Sequence, residues 1–231
     1  MNHILAALDP ADHDALTTDL RVEHFDSGHV LHEADEPLDH AYFPYDAVVA
    51  HSAEQDAGPA VETATIGREG VVSATALIGD DRPFERAVVQ LSGQIAVLPA
   101  KAVSALHDRS HAFRRLLGAY VQAYAAQMAQ SALCSASHSS EARLSRWLLM
   151  CVDRTGMTGP LPADSGMLGR LLGVGRPTVT VVTGTLQTAG LIRSAREGIT
   201  IVDREGLEEA CCDCYGRVRR VYDRLLPHAR R

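Results

Sequence analysis

Two hundred and thirty-one residues are enough for two modest domains, each with its own core. Apolar residues at 46% and charged residues at 22% exclude a disordered or low-complexity chain. The formal net charge of −7 would argue against a nucleic-acid partner if it were evenly spread, but residues 1–140 carry net −11 and residues 141–231 net +4, the latter with 14 arginines and no lysine.

Guanidinium groups suit bidentate contact with phosphate and guanine, although a GC-rich genome produces the same arginine bias without selection. No apolar run approaches the roughly 18 residues that span a bilayer. The N-terminus, Met1-Asn2-His3-Ile4-Leu5, lacks the basic segment and apolar core of a signal peptide. All five cysteines fall after residue 133, which is no secreted-type framework. A cytoplasmic protein with no membrane partner is expected.

From Leu20 to about Ala100 short β-rich runs alternate with turn signals. The runs are Val30-Leu31-His32, Ala41-Tyr42-Phe43, Val48-Val49-Ala50, residues 61–66, residues 87–91 and residues 95–98. The turns fall at 26–28, 35–37, 56–59, 79–81 and 92–93. This spacing predicts a small antiparallel barrel or roll over residues 1–109, interrupted by a short helix from Val71 to Ile78.

Residues 110–137 then read as one long helix without proline. Leu117, Val121, Tyr124 and Met128 follow a 4-3-4 spacing, while Phe113, Leu116, Tyr120 and Ala123 line a neighbouring face. One stripe can pack on its own domain and the other on a second copy, so the first stripe is the expected dimer interface; the alternative is a helix buried within a monomer. His138-Ser139-Ser140 forms a polar hinge, with Ser140 as the expected cap of the next helix, and the second domain occupies residues 138–231.

Within residues 165–184 two helical patterns meet at a glycine. Gly169 is small where two helices would cross, Gly173 can adopt the positive φ of a tight turn, and Leu168, Leu172, Val174, Val179 and Val182 can fill a shared core. That combination is a helix-turn-helix spacing, the alternative being an ordinary αα-hairpin. The second helix is expected to finish over residues 186–192, and residues 191–201 read as two strands around Ser194-Ala195-Arg196-Glu197-Gly198, a wing with Arg193 and Arg196 near a phosphate backbone. In such motifs the first turns of the second helix face base edges. Gly175, Arg176, Pro177, Thr178, Thr180 and Val181 are therefore the candidate readers, with Arg176 suited to a guanine.

Over nearly its full length the chain resembles the cAMP receptor protein/FNR (Crp/Fnr) superfamily of transcription regulators, in the order roll, long helix, hinge, winged helix. It is most similar to a branch without cyclic-nucleotide or iron–sulfur determinants, through Ile66-Gly67-Arg68-Glu69-Gly70, the Leu172-Gly173-Val174 turn and the tail from Leu207 to Tyr215. The resemblance implies an α+β fold with an N-terminal cyclic-nucleotide-binding-like β-roll, a long dimerisation helix and a C-terminal winged helix-turn-helix domain. It also implies a homodimer on double-stranded DNA, with a palindromic operator whose half-sites lie about 34 Å apart, and RNA polymerase as a further partner.

Departures from the family pattern narrow the reading. Nucleotide-binding members carry Gly-Glu-Leu and then Arg-Ser or Arg-Thr, whereas here Gly70 is followed by Val71 and Val72, and Arg86 by Ala87, so no cyclic nucleotide is expected. No cysteine precedes Cys134, which excludes an FNR-type iron–sulfur cluster, and no cofactor is expected. On the second helix Pro177 replaces a glutamate and Val181 a second arginine, which leaves the operator sequence open.

Two further patterns carry groups with their own chemistry. Cys211, Cys212 and Cys214 could serve redox or metal chemistry or simply pack. With Cys211 and Cys214 on one helix face they supply two thiolates, so a closed metal site would need His228 or a partner chain. His24, His29, His32, His40 and His51 raise a cupin-like metal enzyme as the alternative function, but His29 and His32 would point to opposite faces of a strand. No nucleophile elbow or phosphate loop is present, and no enzymatic activity is expected.

Overall fold

A computed structural model describes residues 1–53 and 61–227. The expected turn at 56–59 and His228 lie outside the described residues. The chain opens with two short helices that the sequence did not announce, α1 (His3–Ala6) and α2 (Pro10–Thr17). Buried Asn2 caps α1 by accepting from the Ile4 and Leu5 amides, and its Nδ2 donates to the carbonyls of Pro44 and Gly70. That side chain fastens the N-terminus to the roll.

The roll consists of β1 (Arg21–Phe25), β2 (Val30–His32), β3 (His40–Pro44), β4 (Val48–Ala53), β5 (Val61–Ile66), β6 (Arg86–Leu91) and β7 (Gly93–Pro99). They form two antiparallel sheets, β1-β7-β3 and β2-β6-β4-β5. Phe43, Val49, Ile66, Val89, Ile95 and Leu98 fill the space between them. The inserted helix α3 covers only Ala74–Ile78, because Val71 and Val72 are buried ahead of a turn in which Ser73 sits at φ 57°.

Helix α4 (Ala100–Arg109) closes the roll, and Ser110 ends it and caps the next helix by accepting from the Phe113 amide. That next helix, α5 (His111–Ser137), runs 27 residues. Its apolar stripes are distributed otherwise than expected. Phe113, Tyr120 and Ala123 are buried, but so are Leu117 and Tyr124, which belong to the expected dimer stripe and pack within the chain instead. Val121 and Met128 are half-buried at its edge. The face open to solvent is formed by Gly118, Gln122, Ala125, Ala129 and Leu133.

A line of polar side chains joins the roll to α5. His32 Nε2 lies 2.5 Å from Ser73 Oγ, which lies 3.3 Å from His51 Nε2. His51 Nδ1 lies 2.6 Å from the Tyr124 hydroxyl, itself 2.7 Å from Glu85 Oε1. His51 and Glu85 are each 1% exposed, and the desolvation of charge follows directly. Burial pulls His51 down to about 3 and raises Glu85 and Tyr124.

His138 ends α5, and Ser139 rather than Ser140 caps α6 (Ser140–Thr155), accepting from the Ala142 amide. The rest of the chain holds α7 (Ser165–Leu172), α8 (Arg176–Thr188), β8 (Ile192–Ala195), β9 (Gly198–Ile201), α9 (Arg204–Ala210) and α10 (Cys214–Leu225). Leu144, Leu148, Leu168, Leu172, Val179, Val182, Leu186, Ile199 and Leu207 make its core. The roll contributes Val48 and Leu91 to that same cluster, and Trp147 Nε1 donates to Gln90 Oε1 at 3.0 Å. Helix α10 returns along α5, so that Tyr222 and Leu226 pack against the core of the roll.

The cysteines regroup. Cys211 ends α9, Cys212 lies in the break and Cys214 opens α10, so Cys211 and Cys214 do not share one helix. Cys134, isolated in the sequence, has its Sγ 3.5 Å from that of Cys212. Of the five roll histidines His32 and His51 come together through Ser73, but His24, His29 and His40 are exposed, and among the described residues the only group of three or more His, Cys, Asp or Glu side chains placed to hold a metal lies outside the roll.

Candidate nucleic-acid interface

Asp164 starts α7 by accepting from the Met167 amide at 2.7 Å. Gly173 ends it at φ 65°, a conformation that a β-carbon disfavours. A β-carbon on Gly169 would stand 2.9 Å from the carbonyl oxygen of Val174 in the turn, so the missing side chain lets the turn fold back against α7. Helix α8 follows with Gly175 as its N-cap, and Pro177 sits in the first turn, where its missing N–H breaks no bond.

Val179, Val182 and Leu186 turn inward at helical spacing, and that fixes what turns outward. Gly175, Arg176, Pro177, Thr178, Thr180 and Val181 are all exposed, Val181 at 64%. Three threonine hydroxyls donate back along the helix: Thr180 to the Arg176 carbonyl, Thr183 to Val179 and Thr185 to Val181. Bonded in this way, Thr180 and Thr185 offer methyl groups rather than free hydroxyls. The outer face of α8 therefore carries one guanidinium, the Thr178 side chain and a run of small surfaces that includes Val181.

Sequence reasoning missed Arg170. It is exposed on α7, and its guanidinium and that of Arg176 each come within 3.8 Å of where a β-carbon on Gly166 would be. The signal was available, because Arg170 is the only cation in α7.

Helix α8 stops at Thr188, short of the expected Ile192, which instead opens β8. Strands β8 and β9 pair Ile192 with Ile201 and Ala195 with Gly198 around the two-residue turn Arg196-Glu197. Leu161 adds a bridge to Ile199 on the inner side. Arg193 and Arg196 both project into solvent from this hairpin.

Two close helices with a glycine turn, an outward second helix and an arginine-bearing hairpin define a winged helix-turn-helix DNA-binding protein. Residues 142–210 match the family model of the Crp-like helix-turn-helix domain. No curated protein matches the chain. Among solved structures it is similar to FixK2 from Bradyrhizobium japonicum (TM-score 0.71, 16% identity, 84% of this chain and 98% of that one). It is also similar to a CRP/FNR family transcriptional regulator from Thermus thermophilus (0.63, 24%, 82% and 97%). A third is CLP from Xanthomonas campestris, described as a c-di-GMP responsive global regulator (0.65, 17%, 84% and 100%). Residues 142–210 thus form a Crp-like helix-turn-helix domain, and the chain that carries it has the fold of the Crp/Fnr transcription regulators.

Proposed function

We propose that the protein is a homodimeric regulator that reads a palindromic operator with the first two turns of α8 and holds the flanking phosphates with its wing. The observation that carries this reading is the outward face of α8, where Arg176 is followed by Thr180 and a solvent-facing Val181. Such a face suits one guanine and neighbouring thymine methyls. Arg193, Arg196 and Arg170 supply the sequence-independent attraction.

Arg176→Ala is expected to lose roughly 1–3 kcal/mol of discrimination at one base pair per half-site. The salt-dependent affinity for scrambled DNA should persist. Fluorescence anisotropy on operator and scrambled duplexes at two salt concentrations measures both, the operator being found first by footprinting on the upstream region of the protein's own gene. Unchanged preference in the variant would remove Arg176 from the interface and overturn the proposed register of α8.

The dimer is best supported by the solvent-facing side of α5. Leu117 and Tyr124 are engaged in their own chain, so the seam shifts to Gln122, Ala125, Ala129 and Leu133, flanked by Val121 and Met128. Ala129→Arg should yield monomers by light scattering with the roll intact, and a parent protein that is monomeric at micromolar concentration would refute the seam. RNA polymerase fits as the further partner of such a regulator. A cyclic nucleotide does not fit: Arg86 pairs with Glu33 at 2.7 Å, Ala87 supplies no hydroxyl, and Val71 and Val72 are buried where an acid is required.

A further inference from the structure

The end of α5, the turn into α6 and the break between α9 and α10 meet at one place. Cys134 stands on the last turn of α5, His138 ends that helix, Cys212 lies in the break and Cys214 opens α10. One ligand atom from each of these four residues lies within 4.8 Å of every other. Cys134 Sγ and Cys212 Sγ are 3.5 Å apart, and Cys214 Sγ is 3.4 Å from His138 Nδ1.

Zinc holds thiolate sulfur at about 2.3 Å and imidazole nitrogen at about 2.0–2.1 Å, so neighbouring corners of its tetrahedron lie roughly 3.6–3.8 Å apart. The two measured separations are within a few tenths of an ångström of that. We propose that Cys134, His138, Cys212 and Cys214 form a closed Cys₃His site for one thiophilic divalent cation, of which zinc is the natural occupant.

The surroundings suit such a site. Cys211 stands outside this group of four, its Sγ donating to the Cys212 carbonyl at 3.3 Å. Gln130 Nε2 donates to Cys214 Sγ at 3.1 Å, the kind of outer hydrogen bond that orients a metal thiolate. Three thiols would release three protons on binding, and a dication with three thiolates and a neutral imidazole leaves one negative charge. Arg146 donates to Ser131 Oγ at 2.9 Å, one turn before Cys134 on α5, which puts its guanidinium on that stretch of the helix to offset the charge.

Neither simpler reading accounts for all four residues. Packing of small side chains does not require an imidazole nitrogen among three sulfurs. A Cys134–Cys212 disulfide would need the sulfurs to close to about 2.05 Å and would leave Cys214 and His138 idle. A bound cation would clip the long helix, the hinge and the tail into one unit, because its ligands come from all three.

The test uses the full chain, purified under reducing conditions without chelator. Elemental analysis should find about one zinc per chain, and cobalt added to the stripped protein should give thiolate charge-transfer absorption and the strong visible bands of tetrahedral coordination. Cys134→Ser, His138→Ala, Cys212→Ser and Cys214→Ser should each weaken binding at least tenfold in competition with a chromophoric chelator, while Cys211→Ser binds as the parent does. Hydrogen exchange across residues 131–140 should slow when zinc is restored. A reduced parent chain that gives no tetrahedral cobalt spectrum overturns the proposal, whatever the variants do. So does equal loss in Cys211→Ser and Cys212→Ser, or aerobic protein that carries a Cys134–Cys212 bond and takes no metal once reduced.

Discussion

Replacing Arg154 with leucine is expected to lower the free energy of unfolding by about 3–5 kcal/mol, the range for breaking a buried ion pair from one side. Arg154 projects from α6 into the seam between the two domains and is only 6% exposed. Its Nε pairs with Glu69 at 2.9 Å, one terminal nitrogen donates to the Thr65 carbonyl at 2.5 Å, and the other donates to Gln127 Oε1 on α5. The guanidinium also stands 5.9 Å from the centre of the Tyr222 ring on α10. Without it, the half-buried Glu69 would lose its ion-pair partner, and its Oε2 already lacks a hydrogen-bond partner among the described residues. Joint replacement, Arg154→Leu with Glu69→Leu, should recover much of the loss, since the isolated charge disappears. Urea unfolding of parent, single and double variants measures this, and a single-variant loss under about 1 kcal/mol would refute the account.

Gly198→Ala should be the second most damaging exchange, and its effect should concentrate in the wing. Gly198 lies at φ 134°, and a β-carbon there would stand 2.0 Å from the Leu161 carbonyl oxygen, which is backbone and cannot swing aside. Strain of about 1–3 kcal/mol follows from the conformation alone. Relief by moving the strand breaks the pair of hydrogen bonds between Leu161 and Ile199, at 2.8 and 2.9 Å. Exchange of the Ile199 amide should accelerate by at least tenfold, and the non-specific DNA affinity carried by Arg193 and Arg196 should weaken. Gly173→Asn is the informative contrast: its φ is also positive, but among the described residues nothing lies within 4 Å of the added carbon and asparagine tolerates that region, so the variant should fold nearly as the parent does. If the two variants unfold alike, the Leu161 contact is not what constrains Gly198.

What was legible in the sequence was local. The helix-turn-helix declares itself because Gly169, Gly173, Leu172 and Val179 lie within a few residues of one another, and each demand is set by the chain on either side. The inner strands show as β-branched runs between turns. Strand β1 does not, since most of its residues are exposed and no alternation marks them, and α2 carries too weak an apolar pattern to stand out.

What was illegible depends on which surface meets which. Helical spacing finds two stripes on α5 but cannot tell that Leu117 and Tyr124 face their own roll, because that depends on the angle at which the helix crosses it. Counting thiols in the tail finds two or three ligands and misses Cys134, which lies 78 residues from Cys212 in the sequence. Val181 and the threonines of α8 are readable as exposed, but the return of their neighbours' hydroxyls to the helix backbone is not.

Proton counting constrains the line from His32 to Glu85. Burial disfavours a His51 imidazolium, so that ring carries one proton, and Ser73 and Tyr124 each own a single hydroxyl proton; every donor along the line then points the same way. One polarity ends in a Glu85 carboxylate that accepts from Tyr124 and a His32 imidazolium that donates to Ser73. The reverse ends in a Glu85 carboxylic acid that donates to Tyr124 and a neutral His32 that accepts from Ser73. In both, His32 Nδ1 donates to the Glu33 carbonyl at 3.1 Å. The two polarities contain the same number of protons, and only the charge separation differs. Burial raises Glu85 and lowers His32, which works against the charge-separated polarity, while the hydrogen bond from the Tyr124 hydroxyl to Glu85 Oε1 works for it. The direction of the Tyr124 hydroxyl on the long helix is therefore tied to where the proton sits at the two ends of the line, His32 on β2 and Glu85 beside β6.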